Sequence, residues 1–86
     1  MAVFIISYDL RKPDHDYKPL YAALGEINAT HLQDSMWGVR TDSKAEVVFD
    51  YLWQYVHSEK DRLAVMQFTK TNDYKSKNAM TLLKDL

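Results

Sequence analysis

A chain of 86 residues is one domain's worth of protein, in the size range where folding hides only about 60% of the unfolded surface, so its stability calls for help from a partner. It has no cysteine, which removes disulfides from that help, and its net charge of −1 argues against a general polyanion binder driven by massive counterion release. No stretch nears the roughly 18 apolar residues that span a bilayer, and Met1-Ala2-Val3 carries neither basic flank nor cleavage site; a single soluble domain over residues 1–86, cytoplasmic and without a membrane partner, is expected.

The first element is Phe4-Ile5-Ile6-Ser7-Tyr8-Asp9-Leu10. Bulky apolar residues without polar alternation read as a strand covered on both faces, and the run aims one acid, Asp9, at its exit. So short a chain hardly covers both faces alone, which predicts a sheet closed by a second copy. Arg11-Lys12-Pro13-Asp14-His15-Asp16 follows as a polar loop. A first helix of about ten residues then starts near Asp16, with Tyr17, Leu20, Tyr21 and Leu24 at helical spacing, Pro19 tolerated in the first turn and Gly25 placed as a left-handed terminator.

Residues 30–41 switch to alternation and read as a single second strand, with Leu32, Asp34, Met36 and Gly38 on one side and Gln33, Ser35, Trp37 and Val39 on the other. Ser43-Lys44-Ala45-Glu46 has the spacing of a capping box, opening a second helix whose stripe is Ala45, Val48, Phe49, Leu52, Trp53 and Val56. A polar turn over 57–61 leads to a third strand at 62–69, Arg62-Leu63-Ala64-Val65-Met66-Gln67-Phe68-Thr69, apolar enough to be central as well. Beyond a polar segment, Ala79, Met80, Leu82, Leu83 and Leu86 suit a short C-terminal helix. The expected fold is α/β, an α+β sandwich in β-α-β-α-β order with that short helix, two helices over one face of a small sheet in the ferredoxin-like manner.

Aromatic residues make up 13% of the chain, with six tyrosines and two tryptophans, and in so small a domain such rings serve either the core or a contact surface. Tyr8 and Trp37, on strands of a sheet expected to dimerise, read as interface anchors, and Trp53 as core. Arg11, Lys12 and His15, next to Asp9, suit either a phosphate contact or a solvated loop. Lys70, Lys75 and Lys77 around Tyr74 form the one basic-aromatic cluster, suited to a nucleic-acid backbone and a stacked base or simply to solvent. His31 and His57 have no ligand spacing that would suggest zinc.

The Tyr8-Asp9 strand ending, the segment Gln33-Asp34-Ser35-Met36-Trp37-Gly38 and the run Asp61-Arg62-Leu63-Ala64-Val65 after the second helix, in that order, resemble the Cas2 proteins of CRISPR systems. The likeness is greatest to their SinR-family or VapD-like small relatives and covers residues 3 to 69. It implies a ferredoxin-like homodimer with two sheets face to face, Asp9 near the dimer axis as a ligand for Mg²⁺ in phosphodiester cleavage, and Ser35 near the same site. Two functions are therefore expected side by side. One is a metal-dependent endonuclease, on RNA rather than DNA, with Asp9 and Ser35 as catalytic residues and Arg11 or Lys12 steadying phosphate; the other is a non-catalytic accessory or inhibitory dimer that binds nucleic acid or a protein partner on the same scaffold.

Overall fold

The computed structural model describes residues 1–69, 75, 77–81 and 85–86. It is a small α+β fold with the order β1 (Ala2–Asp9), α1 (Lys18–Glu26), β2 (Thr30–Gln33), β3 (Met36–Thr41), α2 (Ala45–Trp53) and β4 (Arg62–Phe68). The four strands form one sheet in the order β2-β3-β1-β4, antiparallel throughout. Among the described residues no helix is long and apolar enough to cross a membrane.

The apolar run at the start becomes the central β1, with Ile6 opposite Trp37 of β3 on one side and Val65 of β4 on the other. Its alternate residues Phe4, Ile6 and Tyr8 point to the helices, where they join Leu20 and Leu24 of α1, Val39 of β3 and Val48 and Leu52 of α2. Each such side chain, taken fully out of water, stabilises by roughly 1.5–3 kcal/mol, and this layer is the main core. Ile5 faces the opposite side and is buried there with Leu32 and Phe68. Both faces of β1 are thus covered.

On the side away from the helices, part of the cover comes from the chain itself. Leu86 packs against the cluster of Ile5, Leu32 and Phe68, and Arg40 donates to its carbonyl oxygen at 2.7 Å. The backbone N–H of Met80 donates to the Leu32 carbonyl at 2.7 Å, tying the same tail to β2. Leu86 lies over Gly38, so close that a Cβ there would sit 2.6 Å from its Cδ1. Leu82 and Leu83 of the expected C-terminal helix lie outside the described residues, as do Lys70 and Tyr74 of the basic-aromatic cluster. Lys75 and Lys77 are exposed.

Several boundaries differ from the sequence reading, each for a local reason. The expected strand over 30–41 is a hairpin: Asp34 and Ser35 form the turn, and Ser35 adopts a left-handed φ of 61°. Both are turn formers, and the alternation on either side of them hid the break. The hairpin adds a second β element between the helices, so the order is β-α-β-β-α-β. The last strand is not central but an edge strand, its far-face residues Ala64 and Met66 exposed. Apolar side chains at wet positions made it look buried from sequence.

Helix α1 begins at Lys18, whose N–H donates to Asp16 Oδ1 at 3.0 Å, with Pro19 in the first turn as expected. Gly25 stays within the helix, and the left-handed residue beyond it is Asn28, φ 59°. Asparagine tolerates that region through its short polar side chain. The capping box does not form: Lys44 is the N-cap of α2, and no side chain bonds the free N–H groups there. Glu46 still places a negative charge in the first turn, where the helix dipole favours it.

Candidate functional site

Strand β1 ends at Asp9, beside the β2–β3 turn, because the Tyr8 N–H donates to the Ser35 carbonyl at 3.0 Å. That one backbone bond brings Asp9 and Ser35, 26 positions apart in the sequence, to the rim of one cleft. The cleft has a volume of about 690 Å³ and is lined by Tyr8, Asp9 and Leu10 from the exit of β1, Tyr21 from α1, and His31, Asp34, Ser35 and Trp37 from the hairpin. A smaller hollow of about 170 Å³ lies on the other flank of Asp9, against Arg62, Leu63 and Ala64 of β4. Asp9 is therefore the ridge between two depressions.

The aromatic wall of the larger cleft is fixed by stacking and by one hydrogen bond. His31 and Trp37, opposite each other across β2 and β3, stack with ring centroids 4.4 Å apart and planes 12° from parallel. Trp37 Nε1–H donates to Tyr8 Oη at 3.0 Å, which uses its only polar group and leaves the ring to act through its faces. Burial pushes the Tyr8 phenol up, against the Trp37 N–H, which by stabilising the oxygen works the other way. His31 Nε2 is buried without a hydrogen-bond partner among the described residues. Tyr8 and Trp37, expected to anchor a dimer through the open side of the sheet, instead point to its helix-covered side.

Asp9 is half exposed and paired twice: Oδ2 lies 3.3 Å from Arg11 Nη1 and 3.7 Å from Arg62 Nη1. The register of β1 on β4 dictates the second contact, since Asp9 sits opposite Arg62. Among the described residues no three His, Cys, Asp or Glu side chains gather as a metal site requires. Within one chain, then, Asp9 already faces two guanidinium groups and Asp34 is the one other carboxylate in the cleft lining, short of the several oxygens that Mg²⁺, a hard cation, needs. Lys12, the other basic residue of this loop, is spent on Asp14, with Nζ 2.9 Å from Oδ1.

Behind the loop that follows Asp9 lies the best-bonded acid of the described chain. Asp61 is 6% exposed and accepts from the Arg11 N–H at 2.7 Å, the His57 N–H at 2.7 Å and the Tyr17 hydroxyl at 2.6–2.7 Å from its two oxygens. Burial alone would raise its pKa, but these donors, with the nearby His15, outweigh it and hold the carboxyl below its ordinary value. Burial and then the same carboxylate raise the Tyr17 phenol. His15 packs on the Tyr17 ring at 4.7 Å and meets the Tyr55 carbonyl through Nε2 at 3.3 Å. Asp61 thus clamps the β1–α1 loop to the α2–β4 turn and fixes the path of Arg11.

The structure brings together Asp9, Ser35, Arg11, Tyr8 and Trp37 from the sequence reading, and adds Tyr21, His31, Asp34 and Arg62. Tyr21 is 46% exposed although its helical spacing placed it with the core stripe. Asp34 and His31 were legible only if the hairpin had been recognised, and the signal was the Asp-Ser pair of turn formers in mid-strand. Asp61 looked like one more charge in a polar turn. No protein-family model matches the chain.

Proposed function

We propose that this chain is a cytoplasmic, Cas2-like protein of ferredoxin-like fold that binds single-stranded nucleic acid, RNA before DNA, at the cleft beside Asp9, and that it works as a homodimer without itself cleaving the strand. The observation that carries the reading is the pairing of stacked His31 and Trp37 rings in the cleft with two arginines, Arg11 and Arg62, that meet at Asp9, the ridge beside it. Bases stack on ring faces regardless of sequence, and guanidinium groups meet phosphate oxygens, which together are the working parts of a single-strand site. Arg11 and Arg62 are here held in place by Asp9, so the acid serves as a positioning group. The near-neutral net charge agrees with a local grip and not with a broad basic surface.

Support for the fold assignment is the β-α-β-β-α-β order with sheet order β2-β3-β1-β4, both helices on one face. Support for a second copy is the open side of the sheet beyond Leu86, where Ala64 lies exposed and Met66 is 49% exposed. The exposed Lys75 and Lys77 would add further phosphate contacts, while Lys70 of the same sequence cluster lies outside the described residues.

One observation favours the nuclease reading: Asp9 and Ser35 share the rim of a single cleft. In that reading Asp9 of a second copy completes a Mg²⁺ site, and the guanidinium groups give way. Incubation of single-stranded RNA and duplex DNA with Mg²⁺ or Mn²⁺, using the wild-type protein and Asp9→Asn, separates the two. Binding without cleavage by either protein is expected. Metal-dependent cleavage that Asp9→Asn abolishes would replace the binding reading with the nuclease, and absence of both binding and cleavage would remove nucleic acid from the account.

A further inference from the structure

We infer that the cleft selects a guanine base, the Asp34 carboxylate accepting its N1–H and exocyclic N2–H while the ring joins the His31–Trp37 stack. The inference rests on the single-strand reading above and names what that site prefers. Its starting point is the composition of the lining: four ring-bearing side chains, two carboxylates, a serine and a leucine, with no lysine or arginine. A phosphate inside such a space would face the Asp34 carboxylate with no cation in the lining to offset it, so the backbone stays at the Asp9 ridge with Arg11 and Arg62 and the ring enters.

The two acids are not equivalent. Asp9 Oδ2 is engaged by both arginines, whereas the exposed Asp34 carboxylate makes no hydrogen bond or ion pair among the described residues. A carboxylate offers two acceptor oxygens and no donor. Of the four bases, guanine alone presents two adjacent donors on its Watson–Crick edge, which match those oxygens as a bidentate pair. Adenine and cytosine set an acceptor beside their amino group, and uracil flanks its one N–H with two carbonyls, so each brings a lone pair against the carboxylate. Trp37 has spent its N–H on Tyr8 and adds no competing donor.

Asp34 sits in the two-residue turn, on a backbone that the β2–β3 ladder fixes on both sides. Its replacement by asparagine therefore changes the base edge it can meet and leaves the fold intact. The test is anisotropy titration of the full chain with short labelled uridine-rich RNAs carrying one central guanine, adenine or inosine, or none. The guanine RNA is expected to bind roughly 5- to 150-fold more tightly than the adenine RNA, the range of one bidentate base contact, with inosine, which lacks the N2 amine, between them. Asp34→Asn is expected to bring the guanine RNA down to the adenine level, and Asp34→Glu to restore part of the preference.

Equal binding of all four RNAs would overturn the base selection and leave the single-strand reading standing. Binding of none would overturn both. A carboxylate among rings also suits an arginine side chain, so an arginine-containing peptide is run beside the RNAs; its capture, lost in Asp34→Asn and unaccompanied by RNA binding, would make the cleft a protein-docking site and overturn both as well.

Discussion

Asp61 carries more of the local order than any other polar residue described. It accepts from two backbone N–H groups and one hydroxyl, of which Arg11 and Tyr17 lie more than forty residues away in the sequence and His57 only four. Hydrogen bonds to a charged acceptor are worth about 1.5–3 kcal/mol each, and a shared network loses less than their sum, so Asp61→Asn should cost about 2–4 kcal/mol in urea unfolding at neutral pH. Because the folded carboxyl titrates below its ordinary value of 3.8, that stability is fully present above about pH 4 and drains away as pH falls through the folded value. The gap between wild type and Asp61→Asn should therefore narrow on acidification. A gap that is absent at pH 7 or constant down to pH 2 would contradict the clamp.

His31 makes the opposite case at the same scale. Its buried Nε2 has no partner among the described residues, a defect that typically costs about 1–3 kcal/mol, and phenylalanine keeps the flat ring against Trp37. His31→Phe should raise Tm, and a fall would show that the nitrogen is satisfied in solution. Neither Asp61 nor His31 announced itself in the sequence: two of the donors to Asp61 lie more than forty residues away, and the burial of His31 arises only when the hairpin packs. Asp9 did, since an acid closing an apolar strand is a local pattern.

Among the elements, the β2–β3 hairpin decides the site. Its turn delivers Ser35 to Tyr8 and sets Asp34 at the cleft, and it does so with a non-glycine residue at positive φ. A β-branched side chain is poorly tolerated there, so Ser35→Val should lose about 1–2 kcal/mol of stability and weaken RNA binding along with it. Unchanged melting would mean that the turn relaxes to another conformation without consequence. The hairpin was half visible: residues 30–41 alternate as strands do, but period-two alternation runs on across a tight two-residue turn, and only the Asp-Ser pair marks the break. Helix α2, with Val48 and Leu52 buried, was readable because its stripe repeats over more than two turns. Its cap was not, since a side chain with the right spacing still has to find its rotamer.

For the whole molecule, the central question is how the second face of the sheet is covered. The doubly apolar β1 correctly signalled cover on both sides, but sequence alone assigned that cover to another copy, whereas Leu86 of the same chain takes part of it. A folded-back tail is hard to read because its partner surface is assembled only by the sheet. Gly38→Ala tests the arrangement: the new Cβ would meet the end of the Leu86 side chain at 2.6 Å, and that flexible end moves before the sheet does. The variant should melt slightly lower and self-associate more, as the uncovered face seeks a second copy. Sedimentation identical to wild type would argue that the tail and a second copy do not share this face.

The claim on which the rest depends is that the rim at the end of β1 grips a single strand through Arg11 and Arg62. Anisotropy titration of a short single-stranded RNA against wild type and an Arg11→Glu, Arg62→Glu double variant, repeated across salt concentrations, addresses it most directly. The account predicts wild-type binding that weakens with salt, and in the double variant a loss of roughly tenfold or more with a shallower salt slope by about two phosphate contacts. Equal affinity and equal slope for the two proteins would contradict it.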